Sequence, residues 1–201
     1  MTFRSITRFI FYLVFVSALL TSAQSKQWYV YEHSELAEEG LFDGDRFAVK
    51  AGSGYTYLFR LYGVDCPEID KDNKAALKEQ GKKFDKDESE LVTWGEEASR
   101  FVREFLHKPF IVFTQKIKAS GSGSKSCYYA IIINADGQRL DEALVEAGLA
   151  RSYGRGAGWD EPFWGRIQAD LPRRISAERF VRKLHTLQSK ARRARIGVWQ
   201  K

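Results

Sequence analysis

The stretch Tyr55-Thr56-Tyr57-Leu58-Phe59-Arg60-Leu61-Tyr62-Gly63-Val64-Asp65-Cys66-Pro67-Glu68 decides the fold. Tyr55, Tyr57, Phe59 and Leu61 alternate with Thr56, Leu58, Arg60 and Tyr62, the period-two pattern of a strand with one face toward a core. Asp65-Cys66-Pro67-Glu68 then stops it, because proline brings no N–H to a ladder. Upstream, Asp43-Gly44 reads as a tight turn between strands and Gly52-Ser53-Gly54 as a second. The chain from Trp28 to Val64 is therefore predicted to be a run of strands.

Downstream the period changes. Residues 69–90 are Lys-, Asp- and Glu-rich with no sustained apolar spacing, and read as a long exposed loop with a short helix near 75–80. A helix is predicted from Gly95, with Ala98, Phe101, Val102, Phe105 and Leu106 at helical spacing, Glu96 and Glu97 in its first turn, and Pro109 past its end. Phe110 to Lys118 and Cys127 to Asn134 read as strands around a Gly/Ser turn, and Asp136-Gly137 closes the next turn. Leu140, Ala143, Leu144 and Ala147 form a second helical stripe that Gly148 ends. Residues 152–172 look irregular. A last helix carries Phe180, Val181, Leu184, Leu187, Ala191 and Ala194 on one face, with Gly197 ending it and Trp199 docking back. Five strands with about three helices inserted and appended describe an α+β protein, a five-stranded Greek-key barrel of the OB type.

Composition sets the outer limits. With 44% apolar residues, 14% aromatics and four prolines in 201 residues, the chain is neither collagenous nor low-complexity nor disordered. Two cysteines build no disulfide framework, and no paired Cys-x-x-Cys units hold zinc. His33, His107 and His185 have no ligand spacing. Arg4 and Arg8 precede an apolar run from Phe9 to Leu20 and the small residues Thr21-Ser22-Ala23, the pattern of a secretory signal peptide over residues 1–23. Residues 24–201 are then one domain, expected in the periplasm or secreted, with no transmembrane segment in the mature chain. An uncleaved N-terminal anchor is the other reading of this run.

Losing Arg4 and Arg8 lowers the net charge from +6 to +4. The remainder is uneven: from Leu171 to Lys201 ten basic residues stand against Glu178 alone. Such a tail suits phosphate backbones or anionic membrane surfaces, and equally the solvated face of an amphipathic helix.

The chemistry gathers between Asp43 and Glu68. Asp45 follows the first turn, while Asp65 and Glu68 flank Cys66-Pro67 at the strand end, with Arg60 inside the strand. Oxygen-only ligands suit calcium or magnesium. An arginine beside them can meet two phosphoryl oxygens at once, and a spare carboxylate can deprotonate water. Taken singly, Asp43-Gly44-Asp45 also fits a plain turn, Arg60 a surface ion pair and Glu68 a solvated acid.

Asp43-Gly44-Asp45 followed by Arg60-Leu61-Tyr62-Gly63-Val64-Asp65-Cys66-Pro67-Glu68 resembles the signature of the staphylococcal nuclease (thermonuclease-like) family. Gly95-Glu96-Glu97-Ala98, Asp136-Gly137, Leu140 through Ala150 and Gly197-Val198-Trp199 extend the resemblance over about 160 residues in the same order. The resemblance implies an OB-fold barrel and a calcium-dependent nuclease acting on DNA or RNA, and a monomer is expected. It implies Asp45 and Asp65 as calcium ligands, with the Cys66 carbonyl as a third, Glu68 as general base and Arg60 at the attacked phosphate. The family also carries a second catalytic arginine, and that position falls here on Cys127 or Tyr128. Lys125 is the nearest cation and the expected phosphate contact. A nucleic-acid-binding OB module weakened in catalysis is the alternative expectation, and an envelope scaffold for a protein partner a third. In an oxidising compartment Cys66 and Cys127 could bridge two strands of the site, or remain as two buried thiols.

Overall fold

The computed structural model describes residues 28–119, 126–153 and 177–201. The leader at 1–23, Lys125 and residues 154–172 of the stretch read as irregular lie outside the described residues. In chain order the elements are β1 (Tyr29–Asp43), β2 (Arg46–Lys50), β3 (Thr56–Leu61), β4 (Val64–Asp65), α1 (Lys74–Phe84), α2 (Glu88–Phe105), β5 (Phe110–Lys118), β6 (Cys127–Ile133), α3 (Leu140–Glu146), β7 (Arg151–Ser152) and α4 (Ala177–Ala194). A single 3₁₀ turn, Gly197–Trp199, follows α4.

Five strands close into a barrel in the order β1-β2-β3-β6-β5. The β1–β2, β2–β3, β5–β6 and β1–β5 pairs are antiparallel, and β3–β6 is parallel. This is the OB arrangement read from the sequence. β1 serves two partners because its register shifts near His33, which sits at φ 53°. Its first part pairs with β5 and the rest with β2, the bend a bulge provides. Phe47, Val49, Phe59, Leu61, Phe110, Val112, Ala130 and Ile132 fill the core with Ala98 and Val102 of α2. The alternation in β3 holds at Phe59 and Leu61. Tyr55 is exposed because its carbonyl accepts the Ala51 N–H at 2.8 Å, within the turn rather than the strand.

The short helix expected near 75–80 is α1, and the loop expected around it over 69–90 is corrected to a longer α1 and the first turns of α2, giving four helices among the described residues. Asn73 caps α1 by accepting the Ala76 N–H, and Asp87 forms a capping box with Glu90 on α2. The apolar signal was thin because α1 buries only Leu77 and Phe84, in a satellite core with Leu91, Val92 and Val198. Gly95, expected at a helix start, lies inside α2. A Cβ there would stand 2.6 Å from the Pro67 carbonyl oxygen and from Ile69 Cγ2, so glycine lets the helix lie directly on the segment that carries Glu68. Trp199 docks as expected, its ring 5.4 Å from that of Phe84.

Both cysteines are free buried thiols, so no bridge joins them. Cys127 sits opposite Leu58 in the β3–β6 ladder, while Cys66 packs toward Gly44. Burial pushes the Cys127 thiol up to about 11, and pushes Cys66 well above its ordinary value, aided by Asp45 and Asp43. Both stay protonated at neutral pH. Among the described residues no helix is long and apolar enough to cross a membrane.

Candidate functional site

Three pieces of chain meet at one rim of the barrel: the β1–β2 turn, the end of β3, and the segment after β4. The Leu61 N–H donates to the Asp45 carbonyl at 2.8 Å, and Arg46 lies opposite Arg60 in register, which fixes the turn against β3. Gly44 is required here. A Cβ would come 2.6 Å from Ala98 Cβ and 2.8 Å from Cys66 Sγ.

Arg60 links the two acids. Its Nε donates to Asp45 Oδ2 at 3.3 Å and its Nη2 to Asp65 Oδ1 at 3.2 Å. Asp45 and Asp65 are only 2% and 7% exposed, so these pairs are shielded from water. The Asp45 charge, more than that of Asp65, holds the Arg60 guanidinium far above its ordinary pKa, outweighing burial. Arg60 is thus a permanent cation aimed by two carboxylates.

Asp65 has a second cation. The two-residue ladder of β4 and β7 sets Asp65 opposite Arg151, whose Nε donates to Asp65 Oδ2 at 2.8 Å. Burial raises the Asp65 carboxyl, with Arg151 pulling it back, Asp45 pushing it further up, and Arg60 again lowering it. Gln80 of α1 closes the ring: its Nε2 donates to the Cys66 carbonyl at 3.0 Å and its Oε1 accepts the Glu68 N–H at 2.8 Å.

Glu68 is fixed by its neighbours. Its Oε1 accepts the N–H groups of Ile69 and Asp70, each at 3.0 Å, and its Oε2 accepts from Asn73 Nδ2 at 2.8 Å. Each carboxylate oxygen has two lone pairs, so Oε2 keeps one for a water. A carboxylate so held has one orientation and an open acceptor, the requirements of a base.

Asp43 faces the same crowd of charge. Burial raises its carboxyl well above the ordinary 3.8, and the Asp45 charge raises it further against the weaker pull of Arg46 and Arg60. The folded protein therefore holds this proton more tightly than the unfolded chain. The stability it gives is full below pH 3.8 and is lost as pH rises through the folded-state value. Asp43→Asn keeps the Oδ1 acceptor for the Asp45 N–H and mimics the protonated acid. We expect it to stabilise the protein at pH 8 in EDTA by about 1 kcal/mol, or about 2–4 °C in Tm, and to give no gain near pH 3.5. Thermal melts at both pH values check this, and an equal offset at both would overturn it.

Do these residues suit calcium? The donors are hard oxygens, and Asp45 and Asp65 already converge on one cation, the Arg60 guanidinium. Beyond the effect of burial, the Asp45 charge raises Asp43 further, a repulsion that a divalent ion would relieve. Among the described residues no cluster of three or more His, Cys, Asp and Glu is spaced to ligate a metal, so a calcium ion here would draw on Asp45, Asp65 and the Cys66 carbonyl and complete its shell with water. The set fits a water-rich calcium site.

The structure joins Asp45, Arg60 and Asp65 directly, and Gln80 links Asp65 to the backbone of Glu68. Lys125 lies outside the described residues. Sequence reading missed Arg151, Gln80 and Asn73. An asparagine three residues before Ala76 was a readable cap signal, but nothing local ties Arg151 or Gln80 to Asp65. A staphylococcal nuclease homologue family model matches residues 58–160, taking in Arg60, Asp65, Glu68 and Arg151 and beginning after Asp45. No curated protein matches the chain.

Proposed function

Because the chain belongs to the staphylococcal nuclease family, we propose that it is an exported, calcium-dependent nuclease hydrolysing phosphodiester bonds of DNA or RNA. One observation carries this reading: a guanidinium is shared by two buried carboxylates, and Gln80 ties one of them, Asp65, to the backbone of Glu68, whose carboxylate is locked by two backbone N–H bonds. A pure binding surface has no use for three acids in a phosphate groove, since they repel the ligand.

Calcium held by Asp45, Asp65 and the Cys66 carbonyl would supply charge neutralisation at the phosphate. Glu68 takes the proton of the attacking water through the open lone pair of Oε2. Arg60 donates to the non-bridging oxygens as negative charge builds on them, where preorganised donors act most strongly. Asn73 and Gln80 hold Glu68 and the strand end in place from α1.

A nucleic-acid-binding module of reduced catalysis is the second reading. It is favoured by β6, whose sequence Cys127–Ile133 has no cation where the family has its second arginine. Incubating the full chain with single-stranded DNA and with RNA, in calcium and in EDTA, separates the two. Cleavage in calcium that EDTA abolishes is expected. Binding that weakens with salt, ignores calcium and leaves the strands intact would sink the nuclease reading.

A further inference from the structure

We propose that Arg151 supplies the second guanidinium at the scissile phosphate, reaching the site from β7 instead of β6. This rests on the nuclease reading above. In the β3–β6 ladder Cys127 lies opposite Leu58, Tyr128 opposite Phe59 and Tyr129 opposite Arg60, so no strand residue from 127 to 133 brings a cation beside Arg60. Arg151 does. It binds Asp65 Oδ2 through Nε while Arg60 binds Oδ1 of the same carboxylate, so two guanidinium forks flank one acid.

Arg151 is held as a positioned donor would be. Its backbone is pinned by Asp65↔Arg151 and Val64↔Ser152 pairing, by the Tyr153 N–H to the Gly63 carbonyl at 2.8 Å, and by the Ser152 N–H to Gln188 Oε1 at 2.6 Å. Its guanidinium lies 5.0 Å from the Tyr153 ring centre, and Arg60 lies 6.0 Å from the same ring. Aromatic packing of this kind fixes the plane of the fork at small further entropy cost. Only Nε is spent. Neither Nη atom has an acceptor among the described residues, and neither is among their sealed, unpaired side-chain atoms. Their four N–H bonds suit two phosphate oxygens.

In the step itself the water oxygen bonds to phosphorus, its proton passes to Glu68, and one P–O bond breaks. The sugar oxygen leaves with the electron pair and is protonated by solvent. Arg151 transfers nothing; it donates hydrogen bonds that strengthen as the phosphoryl oxygens gain charge. The competing role is structural, in which Arg151 merely neutralises Asp65.

The full chain carrying Arg151→Lys separates these roles, because lysine keeps the charge and loses the fork. With single-stranded DNA in calcium, kcat is expected to fall roughly a hundred- to a thousand-fold, with KM raised by about tenfold at most and Tm within a few degrees. Wild-type kcat with a lowered Tm would overturn the proposal. Should the wild-type chain not cut at all, the nuclease reading fails separately, and binding in EDTA decides for Arg151. Arg151→Gln should then lower the slope of log affinity against log salt by about 0.7, one phosphate contact on a single strand. An unchanged slope overturns it. If the glutamine variant does not fold, Arg151→Lys should bind about tenfold more weakly through loss of the bidentate contact, and unchanged affinity overturns the proposal.

Discussion

Glu68→Gln is expected to lower the rate of single-stranded DNA cleavage by about a hundred- to ten-thousand-fold, the range a positioned base contributes. The substitution is small in shape and large in chemistry. The amide oxygen can still accept the N–H groups of Ile69 and Asp70. The new amide nitrogen, however, faces Asn73 Nδ2, a donor already oriented because Asn73 Oδ1 caps α1. That mismatch costs about 1–2 kcal/mol, which the domain can bear. Circular dichroism and Tm should therefore report a folded protein while single-turnover cleavage collapses. A folded variant cutting at the wild-type rate would remove Glu68 from the mechanism.

Gly148→Ala is expected to be the most damaging single methyl, costing about 3–5 kcal/mol. Gly148 ends α3 at φ +68°, a conformation in which any Cβ is strained. It also faces another glycine. The added Cβ would stand 2.2 Å from the Ile196 carbonyl oxygen, and a Cβ on Gly197 would stand 2.4 Å from the Gly148 oxygen. Two backbones touch here, joined by the Val198 N–H to the Gly148 carbonyl at 2.9 Å. Forcing them apart withdraws Val198 from its pocket and Trp199 from Phe84, which anchors the end of α1. Since α1 carries Gln80, activity should fall with stability. Urea unfolding followed by tryptophan fluorescence measures the loss, and a change under about 1 kcal/mol would show that the two backbones can part freely.

The barrel was legible because its strands announce themselves locally. Phe59 and Leu61 keep the buried face on either side of the half-buried Arg60, Asp43-Gly44 turns, and β5 runs over the predicted Phe110 to Lys118. α1 was legible only as a short helix near 75–80, because a helix that buries only Leu77 and Phe84 on a satellite core has almost no amphipathic stripe. Its other signal was the cap Asn73, as Asp87 was for α2, and each is weak when read alone. The start of α2 was misread for a related reason: Gly95 looked like a boundary, whereas its missing side chain serves a close approach to Pro67. Among the site residues, Arg60, Asp65 and Glu68 sit within nine residues of one another and could be read as a group. Arg151 could not. Its partner Asp65 is 86 positions away, and only the β4–β7 pairing reveals the contact.

That long-range seam also governs how quickly the protein can form. The β1–β5 closure joins Tyr29 to Thr114, the parallel β3–β6 pair joins Leu58 to Cys127, and the site itself is completed by Asp65 meeting Arg151. Loop-closure entropy grows only as the logarithm of the loop, so the finished fold loses little stability to these spans. The rate suffers more, since distant pairings must be searched for before they reward the chain, which places barrel-like topologies in the millisecond-to-second range. The hairpin of β2 and β3 can form early and alone. Arg60 and Asp45 can meet as that hairpin closes, whereas Asp65 waits for Arg151 until β4 and β7 pair across 86 positions, so the two guanidiniums reach their shared carboxylate by routes of very different length.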